Sequence, residues 1–242
     1  MPADAAPSEA GSTDVVETAD RPSAPKSRRG LESRVRLVDA AKQVFEEDGF
    51  LDARISDITQ RAGMSHGSFY YYFDSKEEIF REVAAAVEDE LSAPLGDVVL
   101  AQASNVPASV RIREALTLHF EAYRAEARIM GVIEQVSRYD DHISAMRQER
   151  HRLYNGQIAD SIRQLQKRNL ADPDLDPVVT AAALGAMTYR FAELWLVQGA
   201  LDCPFEIAVD QLARVFVNAL QLRGPANISM TDPPTDHGSD QP

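Results

Sequence analysis

One stretch limits the folds open to this chain more than any other: Ile55-Ser-Asp-Ile-Thr-Gln-Arg-Ala-Gly-Met-Ser-His-Gly-Ser-Phe-Tyr-Tyr-Tyr-Phe73. It holds two short helical patterns with a break between them. The first sets Ile55, Ile58 and Ala62 on one face, at i, i+3 and i+7. Gly63 stops it, because glycine accepts the positive φ that follows a helix end at no steric cost. Ser65 restarts the chain as an N-cap, its hydroxyl placed to accept from an amide of the next turn. In the second pattern Phe69, Tyr72 and Phe73 form the apolar stripe. His66, Ser68 and Tyr71 point elsewhere, and Tyr70 sits at the margin. Two short helices joined by a glycine-containing turn make a helix-turn-helix, whose second helix enters a major groove.

The flanks make the pattern specific. Upstream stand Leu37, Ala40, Ala41, Phe45, Gly49 and Phe50; downstream stand Ser75, Lys76 and Glu77. With Ile58, the run Ala62-Gly-Met-Ser65 and the run Gly67 to Phe73, this spacing closely resembles the DNA-binding domain of TetR-family transcriptional regulators. Thr59 and Arg54 depart from the family pattern, which favours alanine at the first and threonine or serine at the second. Arg54 would then exchange a helix cap for a phosphate contact.

The resemblance implies an all-α chain: an N-terminal three-helix helix-turn-helix DNA-binding domain, then a C-terminal helical bundle that binds a ligand and dimerises. It also implies DNA contacts at Ser68, Tyr70, Tyr71, Tyr72 and Lys76, position by position. The residues themselves add Ser65, His66 and Gly67. A helix start offers free amides to phosphate, Gly67 lets the backbone come close, and His66 can reach a base edge. No lysine or arginine lies between His66 and Phe73, so tyrosine hydroxyls carry the phosphate contacts. Tyr72 is open to two readings, core by its stripe and phosphate contact by its family position. A tyrosine can bury its ring and still present its hydroxyl.

Net charge opposes this reading, since −13 repels phosphate at long range. The charge is uneven, however. Lys26, Arg28, Arg29, Arg34 and Arg36 face only Glu32 in the segment just before the first helix, where a basic arm could reach DNA or simply solubilise a linker. Cys203 is the only cysteine, so no intrachain disulfide can form, which fits a reducing cytoplasm. No apolar run has the length of a membrane span, and the N-terminus lacks a secretory pattern, so no membrane partner is expected.

Residues 1–30 and 224–242 are polar and turn-forming, and read as disordered tails. The DNA-binding domain is expected over 31–80 and the effector-binding and dimerisation domain over 81–223. A first helix from about Glu32 should bury Val35, Val38, Ala41, Val44 and Phe45 and stop at Gly49. Ser75 and Glu78 form a capping box for a fourth helix, which should break at Pro94 and Gly96. Beyond residue 107 only helical periods appear. Asp140 to Arg168 should bury Ile143, Met146, Leu153, Ile158, Ile162 and Leu165. Asp176 and Pro177 open the next helix as N-cap and first helical residue.

Two stripes near the C-terminus bear on assembly. Val179, Ala182, Ala183, Ala186, Arg190, Phe191, Leu194 and Val197 form one. Phe205, Val209, Leu212, Phe216, Ala219 and Leu220 form another at near-heptad spacing. By family resemblance the last two helices pair with their copies as a four-helix bundle, although the small residues could also pack within one subunit. An effector pocket is expected among His119, Phe120, Tyr123, Met130, Ile133, Tyr154, Met187, Arg190, Phe191 and Trp195, for a small, largely apolar ligand. Arg190 lies on an apolar stripe, and a buried cation wants an anion; pairing with Glu193 is the alternative. His142 and His151 are nine residues apart and share no helix face, so no metal site and no cofactor are expected. No nucleophile elbow, phosphate loop or zinc motif points to an enzyme. The expected function is a ligand-responsive homodimeric repressor of a palindromic operator. The alternative is a DNA-organising or partner-regulating protein of the same fold without an inducer.

Overall fold

The computed structural model describes residues 27–99 and 106–223, with residues 92–99 taken by their backbone alone. Among these residues it holds nine α-helices and no strand: α1 (Arg28–Asp52), α2 (Ile55–Arg61), α3 (His66–Tyr72), α4 (Lys76–Val99), α5 (Ala108–Ala125), α6 (Ala127–Val136), α7 (Asp141–Lys167), α8 (Pro177–Ala192) and α9 (Phe205–Ala219). A π-helical turn, Glu193–Val197, continues α8.

The ends of the helices follow local chemistry. Ser27 caps α1 by accepting from the Gly30 amide at 3.1 Å. Residues 28–30, expected in the tail, are therefore helical; residues 1–26 and 224–242 of the two expected tails lie outside the described residues. Gly49 breaks α1 with a φ of 74°, and one further turn runs to Asp52. Gly63 takes a φ of 65° between α2 and α3. Asp176 accepts from the Val178 and Val179 amides at 2.9 Å, with Pro177 leading α8. At Ser75 the capping box is displaced. Its hydroxyl accepts from the Glu78 amide, but the Glu78 carboxylate reaches the Asp74 amide, one residue further back.

Three expectations are corrected. α4 does not break at Pro94 and Gly96; its backbone stays helical to Val99. A proline removes one hydrogen bond of a long ladder, and the turns on either side still hold. In α1 the buried face is Leu37, Ala40, Ala41, Val44 and Phe45, whereas Val35 is exposed. In α7 Leu153 is exposed, and Arg147 and Tyr154 take the inward phase. One wrong residue in a stripe follows from a phase error of about 100°, the turn per residue of a helix.

The core is continuous. α4 packs on α1 at its start and on α5 and α7 further along, so one helix joins the helix-turn-helix to the bundle behind it. α6 also rests on α1. Lys42 of α1 pairs with Glu126 at 2.5 Å between α5 and α6. α8 lies along α7, and at Gly185 an added Cβ would collide with Asn155 Oδ1. The small residues of α8 are thus divided between two faces. Ala181 and Gly185 turn inward, while Val178, Val179, Ala182, Ala183, Ala186 and Arg190 are exposed. On α9 the near-heptad stripe Val209, Leu212, Phe216 and Leu220 is buried within the chain, against α5 among others.

Candidate nucleic-acid interface

The helix-turn-helix is set on its scaffold by packing and by two cations. Phe69 and Phe73 sink into the core, with Phe45, Phe50 and Phe80 clustered beneath; Phe45 meets Phe80 edge-on at 5.0 Å. With those two rings inward, α3 turns its other side outward. Tyr70 is 51% and Tyr71 62% exposed. His66 and Gly67 are exposed beside them, and an added Cβ at Gly67 would meet nothing within 4 Å. Ser65 caps the helix through its hydroxyl, 3.2 Å from the Ser68 amide and 2.7 Å from the Ser68 hydroxyl. Tyr72 is half-buried and packs on the core, in keeping with its double reading. The His66 and Tyr70 rings meet edge-on at 5.5 Å, which presents them as one aromatic surface. Arg54 is exposed and its side chain caps nothing, which leaves it free for a phosphate. Thr59, the other departure from the family pattern, is buried and donates back to the Ser56 carbonyl at 3.0 Å.

Lys76 is the correction in this set. Its ammonium donates to the carbonyls of Phe50, Leu51 and Ala53 at 2.7, 3.0 and 2.9 Å. It also lies 4.8 Å from the centre of the Phe50 ring. An ammonium has three protons, and all three are spent inside the domain. The carbonyls need that donor because Gly49 cuts the ladder of α1 just before them.

Arg34 acts in a similar way. It bonds the Tyr72 carbonyl at 3.2 Å, pairs with Glu82 of α4 and stacks over Phe73. Arg28 pairs with Glu32, and Arg36 bonds the Ser33 hydroxyl. The basic segment is therefore the start of α1 and not a free arm, with Lys26 outside the described residues. A spacing signal for Arg34 did exist, since it lies three residues before Leu37 on the buried phase.

The residues expected to line an effector pocket divide by depth. His119, Phe120, Tyr123, Met130 and Ile133 are buried, as are Tyr154 and Trp195, while Met187 and Phe191 are half-buried. Phe120, Phe191, Trp195 and Phe205 form one aromatic group, with centres 5.6 to 5.8 Å apart. His119, Tyr123, Tyr189, His151 and Tyr154 form a second. Arg190 does not join them. It is exposed and bonds Glu193 at 2.5 Å, as the alternative reading had it. The buried cation is Arg147, which lies four residues after Ile143 on the inward stripe of α7. It bonds Glu88 of α4 at 2.8 Å, Glu134 of α6 at 2.5 Å and the Ser137 hydroxyl at 3.3 Å. The rule that found Arg190 was sound, but the helical phase pointed it at the wrong arginine. Asp140 is the N-cap of α7. Among the described residues no group of His, Cys, Asp and Glu could hold a metal ion.

Burial lowers the His119 pKa from 6.5 to about 4, with a weaker opposing pull from the Leu91 carbonyl. Burial likewise lowers His151 to about 4, and the charges of Arg147 and His119 add to it. Burial raises the Tyr123 phenol, and Glu134 raises it further. A base whose folded pKa is depressed charges more readily when unfolded. The contribution of neutral His119 is thus intact above its unfolded pKa and is lost as pH falls toward 4. Between pH 7 and pH 4.5 the protein is expected to lose about 2–3 kcal/mol more than its His119→Phe variant. Urea unfolding of both at the two pH values measures this, and equal losses would contradict it.

The comparisons with known proteins agree with this geometry. Residues 37–83 match the family model for bacterial regulatory proteins, tetR family. The uncharacterized HTH-type transcriptional regulator YdgC of Bacillus subtilis is 51% identical over 55 residues, which cover 23% of this chain and 28% of that protein. The HTH-type transcriptional regulator UidR of Escherichia coli K12 is 22% identical over 161 residues, 65% of this chain and 78% of that protein. A solved structure from Mesorhizobium loti, described as a TetR-family transcriptional regulator, superposes with a TM-score of 0.68 at 16% identity. It covers 79% of this chain and 98% of that one, and shows that the fold is shared beyond the matched domain. These relatives are regulators and not enzymes. No helix among the described residues is long and apolar enough to cross a membrane. With the helix-turn-helix and its flanks in place, residues 37–83 are a domain of the tetR family of bacterial regulatory proteins, and the bundle behind it completes a fold shared with a solved TetR-family structure.

Proposed function

We propose that this protein is a ligand-responsive homodimeric repressor, acting in the cytoplasm on a palindromic operator. The observation that carries the reading is the outer face of α3: two exposed tyrosines, a serine cap and an open glycine, on a helix whose other side is fixed in the core. The DNA-binding unit is residues 31–80, extended at its start to Arg28. The effector and dimer unit is residues 81–223. Ser65, His66, Gly67 and Ser68 approach the base edges. Arg54, Tyr70 and Tyr71 hold phosphates, with Tyr72 beside them. Lys76 leaves the set of direct contacts.

The dimer forms along α8, whose exposed edge of Val178, Val179, Ala182, Ala183 and Ala186 carries no charge until Arg190. Small residues there allow two helices to approach closely. On α9 only Ile207 and Val215 are large apolar residues on the exposed side, so α9 adds less than its sequence stripe suggested. Two copies of α3 then reach successive major grooves about 34–36 Å apart. An inducer that prefers another spacing lowers operator affinity by the ratio of its own affinities for the two states.

The test is fluorescence anisotropy with the DNA upstream of the gene, at moderate salt. Replacing Tyr70 and Tyr71 together by Phe removes two hydroxyls and keeps both rings. Operator affinity is expected to fall at least about 100-fold, at about 1.5–3 kcal/mol for a hydrogen bond to charge per tyrosine. Thermal stability and dimer mass stay unchanged. Unaltered affinity, or equal binding to unrelated fragments, would defeat the proposal. Many scattered chromosomal sites in place of a few operators would favour a DNA-organising role.

A further inference from the structure

The first turns of α1 carry an exposed face of mixed character. Leu31 and Val35 stand one turn apart on it and are 51% and 57% exposed. With Arg28, Arg29, Glu32, Ser33 and Arg36 they line a shallow, open groove. Arg28 pairs with Glu32, and Arg36 bonds the Ser33 hydroxyl. Arg29 is exposed and has no ion pair among the described residues. Arg34 pairs with Glu82, which reaches over from α4. Four arginines from Arg28 to Arg36 thus meet two carboxylates, and the excess stays positive even with exposed Asp39 a turn further on. Paired aliphatic side chains rimmed by charge have the make-up of a contact surface. The face also lies beside the recognition helix. Arg34, from the same turns, bonds the Tyr72 carbonyl at the end of α3 and stacks over Phe73.

The chain itself supplies a segment of inverse chemistry. Residues 1–20 hold Asp4, Glu9, Asp14, Glu17 and Asp20, and no lysine or arginine. Val15 and Val16 are the only large aliphatic residues between Met1 and Ser27, and Asp14, Glu17 and Asp20 flank them. The segment therefore sets two aliphatic side chains among three carboxylates, where the groove sets two among arginines. Reach is no obstacle. Val16 is eleven residues before Ser27, a span of up to about 36 Å, whereas Val35 lies only about 12 Å along α1 from Ser27.

We propose that residues 14–20 dock on this face of α1 when DNA is absent. Val15 and Val16 cover Leu31 and Val35, and Asp14, Glu17 and Asp20 meet the arginines. The docked segment puts carboxylates beside α3, where a phosphate backbone would approach, so DNA must displace it. A short tether lets a weak contact compete. At a local concentration of about 1 mM, a segment with a Kd of about 0.5 mM weakens DNA binding about threefold. This effect on DNA rests on the repressor reading; the docking itself does not.

Three sets of substitutions in the full-length protein test it: Val15→Ser with Val16→Ser; Asp14→Asn, Glu17→Gln and Asp20→Asn; and Leu31→Ser with Val35→Ser. A fluorescein-labelled peptide of residues 10–22 is titrated into the valine variant, whose own segment no longer competes, without DNA and at about 50 mM salt. Saturable binding is expected, and it should weaken at least about tenfold once Leu31→Ser and Val35→Ser are added. A peptide of residues 226–241, also acidic, should bind more weakly than residues 10–22. Operator affinity of the valine and acid variants should rise at least about threefold over the unaltered protein. A gain in the acid variant alone would overturn the proposal, because charge repulsion at a distance then explains it. So would peptide binding that ignores the groove substitutions, or tighter binding by residues 226–241. If the unaltered protein binds its operator and the peptide does not bind, docking alone falls. If the peptide binds as expected and no variant binds operator DNA, docking stands and the repressor reading falls.

Discussion

Replacing Arg147 by methionine is expected to destabilise the protein by about 3–5 kcal/mol. Methionine keeps much of the volume, so the loss is electrostatic. Glu88 is 2% exposed and bonds Arg147 at 2.8 Å. Without the guanidinium, a carboxylate is left in the interior with its main counter-charge gone, and the cost of its desolvation is no longer offset. Glu134 is less affected, because its side chain is 20% exposed and water can reach it. The double variant Glu88→Gln with Arg147→Met is therefore expected to recover at least half of the loss. Urea unfolding of the three proteins at neutral pH measures both terms. A single variant that loses less than about 1 kcal/mol would mean that water already screens the pair, as it does at surfaces. The triad ties α4 to α6 and α7, so the loss should also loosen the helix that carries the DNA-binding end.

Lys76→Met is expected to cost about 2–4 kcal/mol and to abolish operator binding as a consequence. The three carbonyls at the end of α1 lose a charged donor together, and nothing else on the methionine can replace it. Those carbonyls lie in the turn that leads into α2, so the change loosens the seat of the helix-turn-helix. The expected record is a lower unfolding midpoint without DNA and faster amide exchange in α2 and α3. Tyr70→Phe with Tyr71→Phe should show the opposite pattern, with affinity lost and stability kept. If Lys76→Met weakens binding at unchanged stability, Lys76 is a phosphate contact after all and the clamp is a minor feature.

How much of this was legible in the residues differs between the two ends of the chain. The helix-turn-helix was read with its stop at Gly63, its cap at Ser65 and its inward Phe69 and Phe73. Each of these depends on neighbours within about one helical turn, where caps, glycines and apolar spacing act. Asp176 and Pro177 were read for the same reason. The errors at Val35, Leu153 and Arg190 have one origin. A stripe of mixed small and large residues fits two helical phases almost equally well, and only the neighbouring helix selects between them.

Sequence alone determined the helices, most of their ends and the outward tyrosines of α3, because those are settled by short-range sterics and hydrogen bonding. Tertiary structure decided what the charged and polar side chains do. Lys76 became a clamp on the end of α1, Arg147 and not Arg190 became the buried cation, and His119 and Tyr123 of α5 were linked through Tyr189 of α8 to His151 of α7. Such partners stand tens of residues apart, and they become neighbours only when the burial of apolar faces brings their helices together.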